Sequence, residues 1–424
     1  MRMTLPILLA VTLLICGCSG KSKELDVPPA TAGLPVPENL AWVSRAAIDA
    51  FMRFSVWRGS QSGYIALFAR DGVPVYGDVA GWKDIDSGKA MRMNTPVRIA
   101  SMTKPITAVA AMILVEESKL DLDDPVADYL PEFAQLRVAT SETPRDDGSF
   151  FSLPAATTLT VRHLLMFSSG IGPGLDKGSS LVNYWDRQGI YQLPTGDLGE
   201  RVSALAELPL LEEPGTRWRY GFSADVLARI IEVVSGESIG DFMQGKIFQP
   251  LGMKHTRYTA ENRDADALAT VYTQDENGEL VNASLTHDAK DWTPGGGGLI
   301  STASDYMRFA LMLWNGGEYQ SVRILQKATV DSMRRLHVPD GVLQDADIEG
   351  LGWGLGMAVV ADADATLTTD RTGDFWWSGY LGTVFFVSPQ TGLVGVVISQ
   401  NEPGEFSGLP YQIFIIQALA FAGL

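Results

Sequence analysis

The sequence predicts a mixed fold, α/β plus all-α: an antiparallel sheet flanked by helices, with a helical domain inserted between the two parts of the sheet. Three observations carry this. Short strand-like runs lie at 64–79 and again at 355–399, near opposite ends of the 424 residues. Between them, apolar residues recur at helical three-to-four spacing. With 46% hydrophobic and 20% charged residues, the chain can bury a core large enough for two packed subdomains.

The elements follow in order. Arg2 precedes the apolar run Leu5 to Ile15, too short to span a membrane and the right length for a signal-peptide core. Ile15-Cys16-Gly17-Cys18 then resembles a bacterial lipoprotein cleavage box, with Gly17 before the cut and Cys18 as the lipidated residue. The division expected is a signal peptide at 1–17, a charged, Pro-rich tether at 18–37, and a folded unit at 38–424. The expected location is the bacterial cell envelope, lipid-anchored on the periplasmic face, with Ser19 pointing to the outer membrane. Both cysteines lie in this leader, so the folded unit has no thiol for a disulfide, a zinc site or a nucleophile.

Within the folded unit, Leu40, Val43, Ile48, Phe51 and Phe54 predict a first amphipathic helix. Tyr64 to Ala69 and Val73 to Val79 read as a hairpin joined at Asp71-Gly72, a strong hairpin signal. Helices are expected at Thr107 to Glu117, Val161 to Phe167, Ala224 to Val234, Ile239 to Phe248 and Ser304 to Trp314. Strands return at Leu355 to Val360, Thr383 to Val387 and Leu393 to Ser399, and a last helix runs from about Tyr411 to Phe421. The sheet subdomain is therefore placed at about 38–105 and 300–424 and the helical one at about 106–299, with a site at their seam.

Composition excludes some function classes. A net charge of -17 leaves no basic stripe to neutralise phosphates, so no nucleic-acid partner is expected. The four histidines, His163, His255, His287 and His337, show no ligand spacing, so no metal is expected.

Three stretches can carry chemistry. Ser101 and Lys104, the one S-x-x-K in the chain, lie on the same face at the start of a helix, where an amine reaches a hydroxyl and the helix N-terminus favours an alkoxide. Pro105 fits a first helical turn. Alone, the pattern equally describes an N-cap and a solvated lysine. In Pro214-Gly215-Thr216-Arg217-Trp218-Arg219-Tyr220, a turn and extended run end in a tyrosine just before a helix. Its phenol can serve Ser101 as general base, or Tyr220 is simply a core aromatic with its hydroxyl in water. Finally, Phe375-Trp376-Trp377-Ser378-Gly379-Tyr380-Leu381-Gly382 leads into a strand, and an edge-strand N–H there would complete an oxyanion hole with the N–H of Ser101. A tryptophan-rich turn packed on the core is the alternative.

Gly236-Glu237-Ser238-Ile239-Gly240 matches the G-x-S-x-G nucleophile elbow, but the helical spacing of Val226 to Val234 denies it the strand that the elbow needs. Ser238 is expected to cap a helix instead. Gly295 to Gly298 lacks the Lys-Ser/Thr of a phosphate loop and reads as a tight bend before a helix.

Taken together, Arg98 to Thr107, Leu120 to Val126, Tyr129-Leu130-Pro131, Thr160 to Leu165, Pro250-Leu251-Gly252-Met253 and Gly296 to Thr302 resemble, in order and spacing, the serine β-lactamase-related proteins. The resemblance covers roughly 40–420. It implies Ser101 as nucleophile, Lys104 as its activating amine and Tyr220 as the tyrosine of the second motif, with the oxyanion held by the N–H groups of Ser101 and Tyr380 and no cofactor. Two departures stand out. The usual Y-x-N reads Tyr220-Gly221-Phe222, and Trp377-Ser378-Gly379 stands where β-lactamases and DD-peptidases carry K-T-G or H-x-G. Both departures resemble the family VIII carboxylesterases, implying a small-molecule ester substrate, with β-lactams or cell-wall peptides as the alternative and a non-catalytic cell-wall-binding lipoprotein as another.

Overall fold

In the computed structural model, residues 40–172, 180–187, 197–258, 267–284, 293–338, 349–366, 371–403 and 409–423 are described. Asp71 and Gly72 both have left-handed backbone angles, φ 50° and 79°, as a two-residue type I′ turn requires. They join β1 (Gly63–Arg70) to β2 (Val73–Asp84). β2 turns back through β3 (Lys89–Ala90) at the edge of the main sheet. On the other side β1 pairs with a strand from the far end of the chain, Ile65 lying opposite Ile398.

That far end supplies five strands: β7 (Leu351–Trp353), β8 (Ala358–Val360), β9 (Phe375–Gly379), β10 (Thr383–Val387) and β11 (Leu393–Ile398). The eight-stranded sheet runs β7-β8-β9-β10-β11-β1-β2-β3, antiparallel throughout. A small second sheet joins β4 (Val97–Arg98), β6 (Leu299–Ser301) and β5 (Arg257–Tyr258). Several of these strands, most of them only two or three residues long, were not legible in sequence. β7 is three residues long and fell below a readable alternation, and Phe375 to Gly379 reads as a turn but is the strand β9.

The central strands β10 and β11 are buried along their whole length and β1 along nearly all of it, because helices cover both faces. On one face α1 (Trp42–Trp57) sets Ile48, Met52 and Val56 against Tyr64, Ala66 and Phe68. The last helix, α7 (Leu409–Ala422), lies beside α1, and the backbone N–H of Ala41 donates to Gly423 O at 3.1 Å. On the other face, α2 (Thr103–Glu116) and α6 (Ala303–Trp314) belong to the core of Ile65, Leu67 and Ala69. α2 is buried almost all round and packs on α4 (Ser223–Ser235), the link to the central helices. The helix expected to run to Phe248 is α5 (Ile239–Met243) followed by a π-helical turn, Gln244–Phe248. The widened turn precedes Pro250, which has no N–H to give the α-helical ladder.

Candidate active site

Ser101 lies in a 3₁₀ turn, Ala100–Met102, that leads directly into α2. Ala100 has φ 47°, an uncommon angle for a residue with a Cβ, and the turn is held from three sides. Ile99 N donates to Leu299 O of β6 at 3.0 Å, Thr383 Oγ1 of β10 donates to Ile99 O at 3.1 Å, and Tyr306 OH of α6 donates to Met102 O at 2.8 Å. Such over-determination is what maintains a strained backbone.

Around Ser101 two expected partners converge. Lys104, buried one helical turn on, places Nζ 3.0 Å from Ser101 Oγ. Tyr220, just ahead of α4, donates its hydroxyl to the same oxygen at 2.6 Å. Lys104 Nζ also sits 4.7 Å from the centroid of the Tyr220 ring. One oxygen is thus held between an amine and a phenol, the geometry of an activated nucleophile with its proton acceptors in contact.

The amine is itself held by residues that the sequence reading left out. Lys104 Nζ donates to Gly296 O at 2.6 Å, and Gly296 N donates to Asp225 Oδ1 at 3.0 Å. Thr107 Oγ1 bonds the neighbouring Gly295 O at 2.7 Å. A Cβ on Gly295 would lie 2.0 Å from Ala224 O, so only glycine lets this stretch pass between α2 and α4. Gly295 to Gly298 is therefore a bend, as read, but it leads into strand β6 and one of its carbonyls belongs to the site. Asp225 is buried in the first turn of α4. In sequence it is indistinguishable from an acid that complements a helix dipole.

Aromatic rings wall the site. Tyr220 stacks on Phe167, with centroids 5.9 Å apart and planes 17° apart, and meets Trp377 at 5.6 Å. Trp377 in turn packs edge-on against Trp353 at 4.6 Å. Its indole N–H is buried and makes no hydrogen bond among the described residues. β9 pairs with β8 only at Phe375 and Trp376, whereas its pairing with β10 continues to Gly379, so one edge of 377–379 is left unpaired by the sheet. Strand alternation puts Trp377 and Gly379 on one side, with Tyr220 and Ile99, and Ser378 on the other. A Cβ on Gly379 would fall 2.3 Å from Ile99 O, so this glycine lets the strand press against the segment carrying the serine. Tyr380 follows at the turn, its side chain exposed.

Phe222, expected to line the substrate pocket, is 7% exposed and stacks on Trp185 at 6.0 Å. Ser238 caps α5, its oxygen accepting from Asp241 N, and the segment before it is the helix α4 rather than a strand. At the start of α3 (Val161–Leu165) His163 closes a capping box with Thr160, and burial holds its imidazole below the ordinary 6.5. His337 approaches Ser332 O at 2.9 Å with Nε2. His287 and Cys18 lie outside the described residues. No cluster of histidine, cysteine and carboxylate side chains able to hold a metal occurs among the described residues.

Comparison with known proteins agrees with this geometry. The Beta-lactamase family matches residues 45–419. Esterase EstB of Burkholderia gladioli is 30% identical over 386 residues, covering 86% of this chain and 92% of that protein. Lovastatin esterase of Penicillium rubens is 28% identical, covering 76% and 84%. Among solved structures, EstCE1, a hydrolase with promiscuous acyltransferase activity, superposes with a TM-score of 0.75 at 28% identity, over 89% of this chain and 99% of its own. The fold, the Ser101-centred geometry and these matches together place the chain in the β-lactamase family, as a serine hydrolase with a carboxylesterase-like relation to the family VIII enzymes.

Proposed function

We propose that this protein hydrolyses short-chain carboxylic esters through an acyl-enzyme on Ser101. The proton of Ser101 Oγ passes to the Tyr220–Lys104 pair as Oγ attacks the ester carbonyl. The N–H groups of Ser101 and Tyr380 receive the oxyanion. As the carbon–oxygen bond breaks, the proton moves from the pair to the departing alcohol. Water then attacks the acyl-enzyme, gives its proton to the same pair and releases the acid, and Ser101 regains its hydrogen. Lys104 Nζ lies 3.0 Å from Ser101 Oγ, and while the pair holds the transferred proton its positive charge favours the negative charge that develops at the reacting carbonyl.

The observation that carries the ester reading over a β-lactam or stem peptide is Trp377. Its indole packs on Tyr220 where β-lactam-processing relatives would place a cation. A carboxylate beside it would lose hydration without a partner, whereas a neutral ester gains contact with the ring. The esterase names of two relatives support the same reading.

The test pairs labelling with turnover. A fluorophosphonate should give a mass adduct on Ser101 that Ser101→Ala abolishes. kcat/KM for p-nitrophenyl butyrate should exceed that for benzylpenicillin by about two orders of magnitude or more. Equal values would make the protein a β-lactamase, and no adduct would make it a binding module.

We also propose that the chain is anchored by a lipid on Cys18 at the periplasmic face of the bacterial envelope. The apolar run at 5–15 and the Cys18 box support this. No described helix is long and apolar enough to cross a membrane.

A further inference from the structure

α1 buries one face against the sheet and leaves the other exposed. That outer face is Val43, Ala46, Ala50, Phe54 and Trp57, a stripe at helical spacing, with Trp42 at its start. Trp42 is 79% exposed, Val43 54%, Trp57 39% and Phe54 36%, and the rings of Phe54 and Trp57 lie 5.7 Å apart. Every exposed residue of this helix is apolar. Its charged side chains sit on the flanks and are half-buried: Arg45, Asp49 and Arg53, followed by Arg58 at the C-cap. Arg53 is paired with Asp78 of β2 at 2.9 Å.

We propose that this face of α1 docks into the headgroup and acyl boundary of the bilayer that holds Cys18. The inference rests on the lipid-anchor reading. Cys18 and Trp42 are 24 positions apart in the chain, so the link between them reaches at most roughly 85 Å. α1 is the first described helix after Cys18 in the chain, and its start is fixed to the body of the protein by the Ala41–Gly423 hydrogen bond. The anchor thus holds the stripe near lipid at an effective concentration of order millimolar, enough to make a weak interfacial contact persistent. Tryptophans at both ends of the stripe suit the interface. Docking in this way turns the α2 face of the sheet, with Ser101, away from the lipid.

The test uses the full chain carrying Ala50→Cys, purified from membranes, labelled with an environment-sensitive fluorophore and reconstituted in phosphatidylethanolamine and phosphatidylglycerol vesicles. With Cys18 lipidated, residue 50 offers the single reactive thiol of the mature chain. The expected result is blue-shifted emission quenched by brominated lipid. Trp42→Gln with Trp57→Gln should lower the docked-to-free ratio about tenfold or more while ester turnover stays unchanged. A lipidated protein whose probe reports water overturns the docking and leaves the anchor standing. A blue shift without lipid, accompanied by a dimer in light scattering, assigns the stripe to a second copy and also overturns it. If mass spectrometry finds Cys18 without lipid, the anchor reading fails by itself. The labelled chain with Cys18→Ser is then mixed with vesicles: a shift keeps the docking, and no shift ends it.

Discussion

At the scale of single residues, Asp225 reaches the reacting oxygen only through Gly296 and Lys104. It bonds Gly296 N, and Gly296 O fixes the amine of Lys104, so the carboxylate acts through a peptide unit on the position of a charge. Asp225→Ala should lower kcat on p-nitrophenyl butyrate by about 10- to 100-fold with KM little changed, because it loosens Lys104 rather than a substrate contact. Asp225→Asn keeps an oxygen that accepts from Gly296 N and should recover most of the rate. A loss confined to KM would show that Asp225 shapes the pocket instead. Lys104→Ala and Tyr220→Phe, which remove groups touching Ser101 Oγ, should each cost several orders of magnitude in kcat in the same assay.

At the scale of elements, chemistry and local structure were legible to different degrees. Ser101 and Lys104 were readable because a helix start forces residues three apart onto one face. Trp377 was readable by position and not by orientation, since strand alternation is hidden when Phe375 to Gly379 mixes four large or polar residues with one glycine. Asp225 and Gly296 lie 71 residues apart and meet only because α4 packs on α2, so no local pattern announces them. Ser238 shows the converse, a catalytic motif spent on a helix cap. Ser238→Ala should cost about 1 kcal/mol of stability in urea unfolding and leave ester turnover at the wild-type level. A fall in turnover with unchanged stability would return Ser238 to the list of nucleophiles.

At the scale of the whole molecule, burial sets a pH limit. His163 and His337 are both held below the ordinary 6.5, burial being the main cause in each. Between the folded and unfolded values the unfolded chain binds more protons, so stability is complete above pH 6.5 and is lost as pH falls below it. Urea midpoints measured from neutral to mildly acidic pH should fall, and His163→Gln with His337→Gln should flatten that slope. An unchanged slope would assign the acid sensitivity to carboxylates.

The pairing of β1 with β11 also sets the order in which the molecule can become itself. β1 is among the first strands to leave the ribosome and β11 among the last, and until they meet, one long edge of β1 lies open. The turn bearing Ser101 is held by Thr383, which is likewise made late. A chain cut short before β10 would therefore carry Ser101, Lys104 and Tyr220 and still be inert. An unfinished chain thus has neither a working nucleophile nor a closed sheet until its last strands are in place.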